Sequence, residues 1–359
     1  MPILKAMIIK DIQTYFFRLP FADPVRVGNH RLLQREGFFV RLADDFGNTG
    51  LGEIAPLPGL DASTLEDCQR EIRAFSQMVK TGDCQDHAFN PVVRFGLETA
   101  IFAMIEGKRR QKDPNTDVTI EIPINGLFMP DDDSNAERMQ VKRLLQKGFE
   151  TIKVKIGRLS MGSEAASIRR LFEASGGSVR FRLDANRSMT ISRYRRYYRS
   201  LCDLPVEYVE EPLTDGDFVR AGEVGWPLAI DESLPLFWDN ANRMFHGLPE
   251  AVTHAVIKPG TPAGFREVME FFRRRENPRI FPVISSAFNT AVGICGLMLF
   301  GESLSIAGLT THGLDTGSYL KTDLKNDALG ISNGRLRGRV DILWDRNLPE
   351  KAGLAEIDP

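Results

Sequence analysis

The sequence predicts an α/β protein built on a closed parallel barrel of the TIM type, preceded by a β-rich segment. From about residue 120, short apolar strands alternate with amphipathic helices, and polar residues recur toward the C-terminal ends of those strands. Eight strands with helical crossovers favour a closed barrel. The rival, an open doubly wound sheet, lacks its dinucleotide fingerprint here.

Composition is that of an ordinary globular chain with room for one large and one smaller domain. The 359 residues are 42% hydrophobic and 26% charged, and the formal net charge of −2 gives no case for nucleic acid or an anionic membrane. No apolar run reaches the ~20 residues of a membrane span. The start, "MPILKAMIIKDIQ", is too short and too quickly charged for a secretory signal. We expect a cytoplasmic protein with four reduced thiols, Cys68, Cys84, Cys202 and Cys295.

The first part of the chain is predicted to be β followed by α. The stretch "GFFVRLADDFGNTGLGEIAP" forms two strands joined by a polar turn, and residues 63–80 and 91–106 form helices. Ser63 is the expected N-cap, with Glu66 completing a capping box. The segment "GNHRLLQREG" at 28–37 is a candidate lid loop.

Eight barrel strands and their helices follow, and the last ~40 residues, with the turn "SNGRLRG", return to the first domain. The predicted domains are 1–118, 119–315 and 316–359. The predicted strands are 122–127, 151–157, 179–186, 206–213, 227–233, 254–260, 280–287 and 309–315. The predicted helices are 133–147, 163–175, 190–202, 262–275 and 289–302.

Three carboxylates fall at the ends of three consecutive predicted strands: Asp184, Glu210 and Asp231. Gathered at one side of a barrel mouth they would repel one another and lose solvation, which a divalent cation resolves. All-oxygen ligands favour Mg²⁺, with Mn²⁺ as a near substitute. Strand alternation lets only one residue of each acidic pair face inward, so Glu211 and Glu232 are left to bind a lysine or cap a loop.

The stretch "TIKVKIG" puts Lys153 and Lys155 on one face of the second strand, and Lys258 ends the sixth. Strands two and six lie on opposite walls of a barrel, so Lys155 and Lys258 are expected to face each other across the substrate. Nearby positive charge is expected to lower the pKa of these lysines toward that of a base, and Lys153 either adds to this effect or contacts the site directly. Such a site removes the α-proton of a metal-bound carboxylate and stabilises the enediolate.

The motifs "KVK", "LDAN", "EEP", "DES" and "IKP" occur in the order and spacing of the enolase superfamily, and the chain resembles its muconate-lactonizing subgroup over nearly its full length. Within that subgroup, "GLGEIAPLPGLDAST" (50–64), "RLDANR" (182–187), "VISSAFNTAVG" (283–293) and "HGLDTG" (312–317) are most similar to the o-succinylbenzoate synthase family. The resemblance implies a (β/α)₇β barrel with an α+β capping domain formed by the N-terminal region and the C-terminal segment.

The resemblance also implies an activity and a set of roles. The reaction is dehydration, a syn β-elimination of water, from 2-succinyl-6-hydroxy-2,4-cyclohexadiene-1-carboxylate through an enediolate in menaquinone biosynthesis. The product is 4-(2′-carboxyphenyl)-4-oxobutyrate, so the expected partner is a small carboxylate. Lys155 matches the base and Lys258 the lysine that stabilises the enediolate by its charge. The matching Mg²⁺ ligands are Asp184, Glu210 and Asp231.

Other residues are expected to bind the substrate or to support the metal site. The hydroxyls and backbone N–H groups of Ser285 and Ser286 are expected to receive the succinyl carboxylate, although they could instead only satisfy backbone groups at a strand end. Arg31, in the candidate lid, is expected to help bind that tail. Arg182 either forms a salt bridge inside the barrel or contacts substrate, and Asn186, with Glu232, supports the metal site.

Two other functions remain open. Opposed lysines also suit the 1,1-proton transfer of an N-acylamino acid racemase or dipeptide epimerase. Dipeptide epimerases typically carry Asp-x-Asp after the eighth strand, but the sequence here reads Asp315-Thr316-Gly317. A barrel kept only for binding would be expected to have an incomplete set of site residues. The oligomeric state is not predicted.

Overall fold

The computed structural model describes residues 9–82, 88–111, 117–261, 264–274, 279–304, 306, 308, 310–324 and 328–358. The predictions made for residues 1–8, for Cys84 and for parts of the 262–275 and 309–315 segments concern residues outside these ranges. Among the described residues, none of the helices combines the length and hydropathy needed to cross a bilayer.

The N-terminal region forms an antiparallel sheet covered by two helices. Its core is a cluster in which Val40 and Leu42 of the sheet contact helix residues such as Ile72, Phe75 and Val93. This face is apolar because alternate residues of each strand point toward the helices. The elements are β1 (Ile9–Val27), β2 (His30–Asp44), β3 (Thr49–Ile54), α1 (Leu65–Thr81) and α2 (Pro91–Gln111).

The N-cap of helix α1 lies one residue later than predicted. The capping box is formed by Thr64 and Asp67: Asp67 N donates to Thr64 Oγ1 at 3.1 Å, and Thr64 N donates to Asp67 Oδ2 at 3.0 Å. The prediction of Ser63 and Glu66 was therefore wrong, because the run Ser63-Thr64-Leu65-Glu66-Asp67 satisfies the three-residue spacing twice.

The segment predicted as a loop at 28–37 is not a loop, because residues 30–37 belong to a long β-hairpin; its role as a lid stays a prediction. Strands β1 and β2 pair as far as Val27 and His30, leaving only a two-residue turn at Gly28 and Asn29. Near the tip, Val25 and Leu32 pack into a small apolar cluster that includes Phe288. The hairpin therefore lies against the loop that follows the seventh barrel strand.

The central part of the chain is a curled parallel sheet of seven strands with helical crossovers, in which the strands follow chain order. Its strands are β5 (Gly126–Phe128), β6 (Thr151–Lys155), β7 (Arg180–Asp184), β8 (Val206–Glu210), β9 (Leu228–Ile230), β12 (Val252–Ile257) and β13 (Phe281–Ile284). The other elements of this region are β4 (Thr119–Pro123), α3 (Ser134–Gln146), α4 (Met161–Ala174), α5 (Ile191–Leu201), α6 (Phe218–Gly222), α7 (Leu234–Phe237), the hairpin β10 (Trp238–Asp239) and β11 (Met244–Phe245), α8 (Phe265–Arg274) and α9 (Ala291–Ser303). The (β/α)₇β class with an antiparallel N-terminal sheet is confirmed.

The C-terminal segment contacts both parts. After a 3₁₀ helix (Asp315–Tyr319), two strands extend a sheet with β4, and the last strand pairs with β1 through Thr14 and Ile357. These elements are β14 (Leu329–Ser332), β15 (Arg335–Arg339), a 3₁₀ helix (Val340–Leu343), α10 (Leu348–Lys351) and β16 (Glu356–Ile357). The division at residues 118 and 315 stays a prediction.

The first and eighth predicted strands differ from expectation. Residues 122–127 are divided between β4, which pairs with β15, and β5, which pairs with β6. Where the eighth strand was predicted, the described residues 310–315 form two isolated bridges and no continuous strand: His312 to Ile124 and Gly313 to Ser285. These bridges join the first strand region to the seventh and close the barrel.

Candidate active site

The structure brings the predicted lysines and carboxylates together at the C-terminal edge of the parallel sheet. Lys155 lies opposite Asp184 in the register of β6 and β7, and Asp184 lies opposite Glu210 in that of β7 and β8. Asp231 and Lys258 directly follow β9 and β12. Parallel strands end on the same side of a barrel, which is why residues far apart in sequence converge here.

Lysine ammonium groups lie directly against the three carboxylates. Lys153 Nζ donates to both carboxylate oxygens of Glu210, at 2.8 and 2.7 Å, and lies 2.7 Å from Asp184 Oδ2. Lys155 Nζ donates to Asp184 Oδ2 at 2.6 Å, and Lys258 Nζ donates to Asp231 Oδ2. The six groups carry equal numbers of positive and negative formal charges.

The neighbouring carboxylates of Asp184 and Glu210 have pKa values shifted in opposite directions. Asp184 and Glu210 are each only 1% exposed. Burial raises the pKa of Glu210 to about 8, and repulsion by Asp184 adds to the effect. Burial also disfavours ionisation of Asp184, but the charges of Lys153 and Lys155 outweigh it and hold its pKa well below the usual range. The difference follows from two ammonium groups on Asp184 and one shared ammonium on Glu210.

The carboxylates raise the pKa values of two of the lysines, and the lowering expected beside a bound cation stays a prediction. Burial disfavours the charged form of Lys153, but Asp184 and Glu210 outweigh burial and raise its pKa well above normal. Lys258 behaves similarly, since burial is outweighed by Asp231 and Glu210 and its pKa is also raised. Attraction to the carboxylates exceeds repulsion between the ammonium groups, so both side chains are held as cations here.

The carboxylates fit a hard divalent cation in chemistry. They are nearly fully buried, lie on consecutive strand ends and offer only oxygen, the donor that Mg²⁺ prefers. In the described ranges, however, no three His, Cys, Asp or Glu side chains already stand in a metal-holding group. Each of the three carboxylates instead accepts a hydrogen bond from a lysine ammonium group. The raised pKa of Glu210 reports a buried carboxylate that further positive charge would stabilise.

Glu211 joins three loops around this site. Its carboxylate is fully buried and accepts from the backbone N–H groups of Asp231 at 2.9 Å and Ser233 at 2.7 Å. Ser233 Oγ donates to it at 2.9 Å, and it forms an ion pair with Arg187 at 2.9 Å. Glu211 therefore caps the loop that carries Asp231, one of the two roles expected for the second acid of the pair.

Asn186 contacts Lys155, and Glu232 contacts Asn186; their support of a metal site stays a prediction. Asn186 Oδ1 accepts from Lys155 Nζ at 2.7 Å, and its amide group donates to Glu232 Oε1 at 3.1 Å. The Asn186 backbone N–H also donates to Asp184 Oδ1 at 3.0 Å. Asn186 thus orients both Lys155 and Asp184.

Arg182 forms the salt bridge inside the barrel. It is fully buried, and its Nε donates to Glu207 Oε2 at 2.7 Å while Nη1 donates to the Thr311 carbonyl at 2.7 Å. Its guanidinium also lies over the Tyr208 ring, 4.9 Å from the centroid. Arg182 fixes the eighth strand region to the third and fourth strands, which compensates for the few backbone bonds at that seam.

The two serines differ, and part of their predicted role is wrong. The backbone N–H groups of Ser285 and Ser286 donate to the carbonyls of Ile257 and Gly313, both at 2.9 Å, so neither is directed to a ligand. Ser286 Oγ lies 2.6 Å from Thr316 Oγ1 and 3.2 Å from the Gly313 carbonyl. Ser285 Oγ makes only a 3.5 Å contact with the Ser286 carbonyl among the described residues. The Ser285 hydroxyl is thus the better placed donor.

Arg31 is not brought to the carboxylates. It is exposed near the hairpin tip, directly across from Arg26. By strand alternation it points to the opposite face from Val25 and Leu32, the residues that pack near Phe288. Its predicted contact with substrate stays a prediction.

The N-terminal region contributes residues that were not predicted. A cavity of about 160 Å³ is lined on one side by Asp231, Lys258 and Thr261, and on the other by Leu60 and Asp61. Asp61 approaches so closely that a Cβ on Gly260 would lie 2.3 Å from its Oδ1. Burial raises the pKa of the Asp61 carboxyl. The motif "GLGEIAPLPGLDAST" was a usable signal, because it places this loop among the residues of the resemblance.

Comparison with known proteins agrees with this architecture. Residues 9–104 match the family model of the MenC N-terminal domain, and residues 136–354 match that of the enolase C-terminal domain-like family. An o-succinylbenzoate synthase of Vibrio cholerae is 28% identical over 337 residues, covering 88% of this chain and 93% of that protein. Protein PHYLLO, chloroplastic, of Arabidopsis thaliana is 26% identical over 398 residues and 95% of this chain, which spans only 23% of that longer protein.

Solved structures share the fold. MenC from Desulfotalea psychrophila superposes with a TM-score of 0.71 at 20% identity, covering 91% of this chain and 99% of that one. A dipeptide epimerase from Methylococcus capsulatus, complexed with Mg and the dipeptide L-Arg-D-Lys, gives 0.73 at 20% identity, with 92% and 97% covered. Because the enolase C-terminal model matches more than half of the chain, and synthases match most of it, this protein belongs to the enolase superfamily and is an enzyme of the lyase type.

Proposed function

We propose that this enzyme is an o-succinylbenzoate synthase of menaquinone biosynthesis. It would dehydrate 2-succinyl-6-hydroxy-2,4-cyclohexadiene-1-carboxylate to 4-(2′-carboxyphenyl)-4-oxobutyrate. The observation that carries the proposal is the set of buried carboxylates at three consecutive strand ends, with Lys155 on one side and Lys258 on the other. The 28% identity to synthases over most of both chains supports this member of the superfamily.

Asp184, Glu210 and Asp231 would hold the metal, Mg²⁺ or Mn²⁺ as a substitute. When bound, Mg²⁺ supplies positive charge that acidifies the α-proton of a substrate carboxylate. The lysine and carboxylate groups of the site are balanced in formal charge, so a divalent cation and a dicarboxylate substrate together preserve that balance. Metal and substrate are therefore expected to favour each other's binding.

Lys155 is the proposed base. Its Nζ lies at the mouth of the site between Asp184 and Asn186, and its side chain is 27% exposed. It would take the proton from the carbon that bears the carboxylate, leaving an enediolate. In a syn elimination the hydroxyl departs from the same face, so the same Nζ can return that proton to the leaving oxygen as water forms. The C–H and C–O bonds break, and the new double bond makes the ring aromatic.

Lys258 and Lys153 have other proposed roles. The carboxylate neighbours raise the pKa of Lys258, which suits a permanent cation that stabilises the enediolate from the opposite wall. Lys153 is bonded to Glu210 and Asp184, and its raised pKa suits a fixed counter-charge rather than a base. The Ser285 hydroxyl would donate to the succinyl carboxylate of this small-molecule substrate. The proposed reaction involves neither nucleic acid nor a membrane.

The test is turnover by the purified protein. With Mg²⁺ and the cyclohexadiene substrate, the diene absorbance should fall and the keto-dicarboxylate product should appear by mass spectrometry. The variant Lys155→Ala should keep Mg²⁺ affinity within a few fold and lose turnover. A wild-type protein that binds Mg²⁺ but leaves the diene unchanged would refute the proposal.

A second candidate is an N-acylamino acid racemase or dipeptide epimerase. The favouring observation is that Lys155 and Lys258 approach the carboxylates from opposite walls, as 1,1-proton transfer requires. The case for a dipeptide substrate is weaker. Asp315 already lies 3.5 Å from Lys147 Nζ, and Gly317 stands where the second acid of Asp-x-Asp would be. Deuterium wash-in at the α-carbon of N-succinyl amino acids or dipeptides tests it. Absence of exchange on all of them removes this function.

A further inference from the structure

The turn after the seventh barrel strand, Ser285–Thr290, is held in an unusual conformation. Phe288 has φ +55°, a left-handed conformation that is costly for a bulky residue and persists only where the surroundings enforce it. Its ring packs edge-on against Phe21 and Tyr319, with centroids 5.6 and 5.4 Å away. The turn begins with Ser285, the proposed substrate donor, so whatever enforces its shape also places that hydroxyl.

Glu53 of β3 is the main anchor of this turn. It is 1% exposed and accepts four hydrogen bonds from the end of the turn and the start of α9. The donors are Asn289 Nδ2 at 2.7 Å, Thr290 Oγ1 at 2.6 Å, Thr290 N at 2.9 Å and Gly293 N at 3.1 Å. A Cβ on Gly293 would lie 2.7 Å from Glu53 Oε2, so this approach depends on glycine.

A short path of hydrogen bonds leads from Glu53 to the serines. Glu53 Oε1 accepts from Asn289 Nδ2, and Asn289 Oδ1 in turn accepts from the backbone N–H of Ala287 at 2.8 Å. Ala287 directly follows Ser286. The Asn289 side chain is 2% exposed, so a bond lost here has no water to replace it.

Arg35 of β2 holds the same turn from a second direction. It is 2% exposed, and its Nε donates to the Phe288 carbonyl at 3.2 Å. Its other nitrogens donate to the carbonyls of Pro56, at 2.5 Å, and Ala55. These residues begin the loop that carries Asp61 to the cavity. Arg35 thus ties the serine turn and the loop of the N-terminal region to one guanidinium.

We propose that Glu53 is a positioning residue that acts through Asn289 to hold the Ser285–Thr290 turn, and that it thereby sets affinity for the distal carboxylate of the substrate. This rests on the proposed synthase function. Glu53 touches no reacting atom. Its contribution is to keep the Ser285 hydroxyl directed at a carboxylate that carries specificity but undergoes no chemistry, so it affects binding more than turnover.

The test uses Glu53→Gln, which keeps the side-chain volume. One Glu53 oxygen faces only the Asn289 amide and the other faces three donors, so in either orientation the new NH₂ group meets a donor. We expect calorimetric affinity for the dicarboxylate product to fall about tenfold, the change that ~1.4 kcal/mol produces. Affinity for benzoate, which lacks the distal carboxylate, should change less than about twofold. KM should rise by a factor similar to the loss of product affinity, while kcat should change less than about threefold.

Two further variants separate positioning from general stability. Asp323, in the C-terminal segment, accepts from the backbone N–H of Ala291 at 2.7 Å, at the start of α9. Asp323→Asn should therefore lower thermal stability without changing the ratio of product affinity to benzoate affinity. Asn289→Ala leaves the bonds of Glu53 to Thr290 and Gly293 and breaks only the path to Ala287. It should reproduce the loss of product affinity, and it decides the question if Glu53→Gln does not fold.

Failure of this proposal is distinct from failure of the proposed function. If wild-type protein binds the product and Asn289→Ala binds it equally well, the positioning role is overturned. If the wild type does not bind the product, the synthase proposal fails, and hydrogen exchange then decides the role of Glu53. Faster exchange of the Ser286 and Ala287 amides in Glu53→Gln supports it, and unchanged exchange overturns it.

Discussion

Replacing Glu211 by glutamine should weaken both the fold and the proposed metal site. One carboxylate oxygen of Glu211 accepts two backbone N–H groups, from Asp231 and Ser233, while the other receives the Arg187 Nε and the Ser233 hydroxyl. Glutamine keeps one acceptor and turns the other into a donor. The orientation that keeps both backbone bonds leaves the Arg187 guanidinium facing an NH₂ group.

The magnitude follows from the bonds that are lost. A hydrogen bond to a charged group contributes ~1.5–3 kcal/mol, and the Arg187 side chain is 35% exposed, which reduces the upper value by solvent screening. We therefore expect Glu211→Gln to lower the free energy of unfolding by about 2 kcal/mol. Because the same carboxylate fixes the backbone of Asp231, Mg²⁺ affinity should fall about tenfold, the lower end for residues that orient metal ligands.

Equilibrium urea unfolding and calorimetric Mg²⁺ titration measure the two effects. The matched control is Glu121→Gln, since Glu121 pairs with Arg335 on the surface with both side chains about half exposed. An exposed pair of this kind contributes less than ~1 kcal/mol. If Glu211→Gln unfolds at the same urea concentration as the control and binds Mg²⁺ like the wild type, the account of Glu211 as the tie between these loops is refuted.

Three further predictions concern single groups. Lys258→Met should reduce kcat by about 10²–10³ while Lys258→Arg retains more activity, because the proposed role is charge and not proton transfer; equal loss in both variants contradicts it. Arg182→Met should cost ~3–5 kcal/mol in urea unfolding, since it removes the fully buried guanidinium that pairs with Glu207 and bonds the Thr311 carbonyl; a loss below ~1 kcal/mol contradicts it. Burial lowers the pKa of His254 from 6.5 to about 4, so the unfolded state binds more protons between these values and about 3 kcal/mol of stability should be lost as pH falls through that window. His254→Gln should show a shallower decline over the same range, and an identical slope would rule the assignment out.

The barrel and its charged residues could be predicted because both follow from local rules. Strand alternation decides which side of β6 faces inward, and parallel strands put their C-terminal ends together whatever the connections. Lys155, Asp184 and Glu210 needed only these two rules to be placed side by side, and the register confirms that they are adjacent.

What could not be predicted depends on contacts between distant segments. Nothing in the neighbourhood of Glu53 indicates that it meets Thr290, because that contact exists only once β3 has docked on the start of α9. Arg35 was placed in a presumed loop, since polar residues dominate around it, although it is one of the most buried side chains. The seam at His312 was missed for a related reason: isolated bridges and the Arg182 side chain do there what a regular ladder was expected to do.

Two lysines on one face of β6 occupy different depths and therefore meet different partners. Lys153 is the deeper of the two, 15% exposed against 27% for Lys155, and it lies between Glu210 and Asp184. It neutralises charge that a buried cluster could not otherwise hold. Lys155 is one strand repeat nearer the mouth, with Asn186 as its second partner, which is the position expected of the proposed base. A single lysine at either position could not fill both proposed roles, because the residue that neutralises Glu210 must stay protonated, whereas a base must be unprotonated before it takes the substrate proton.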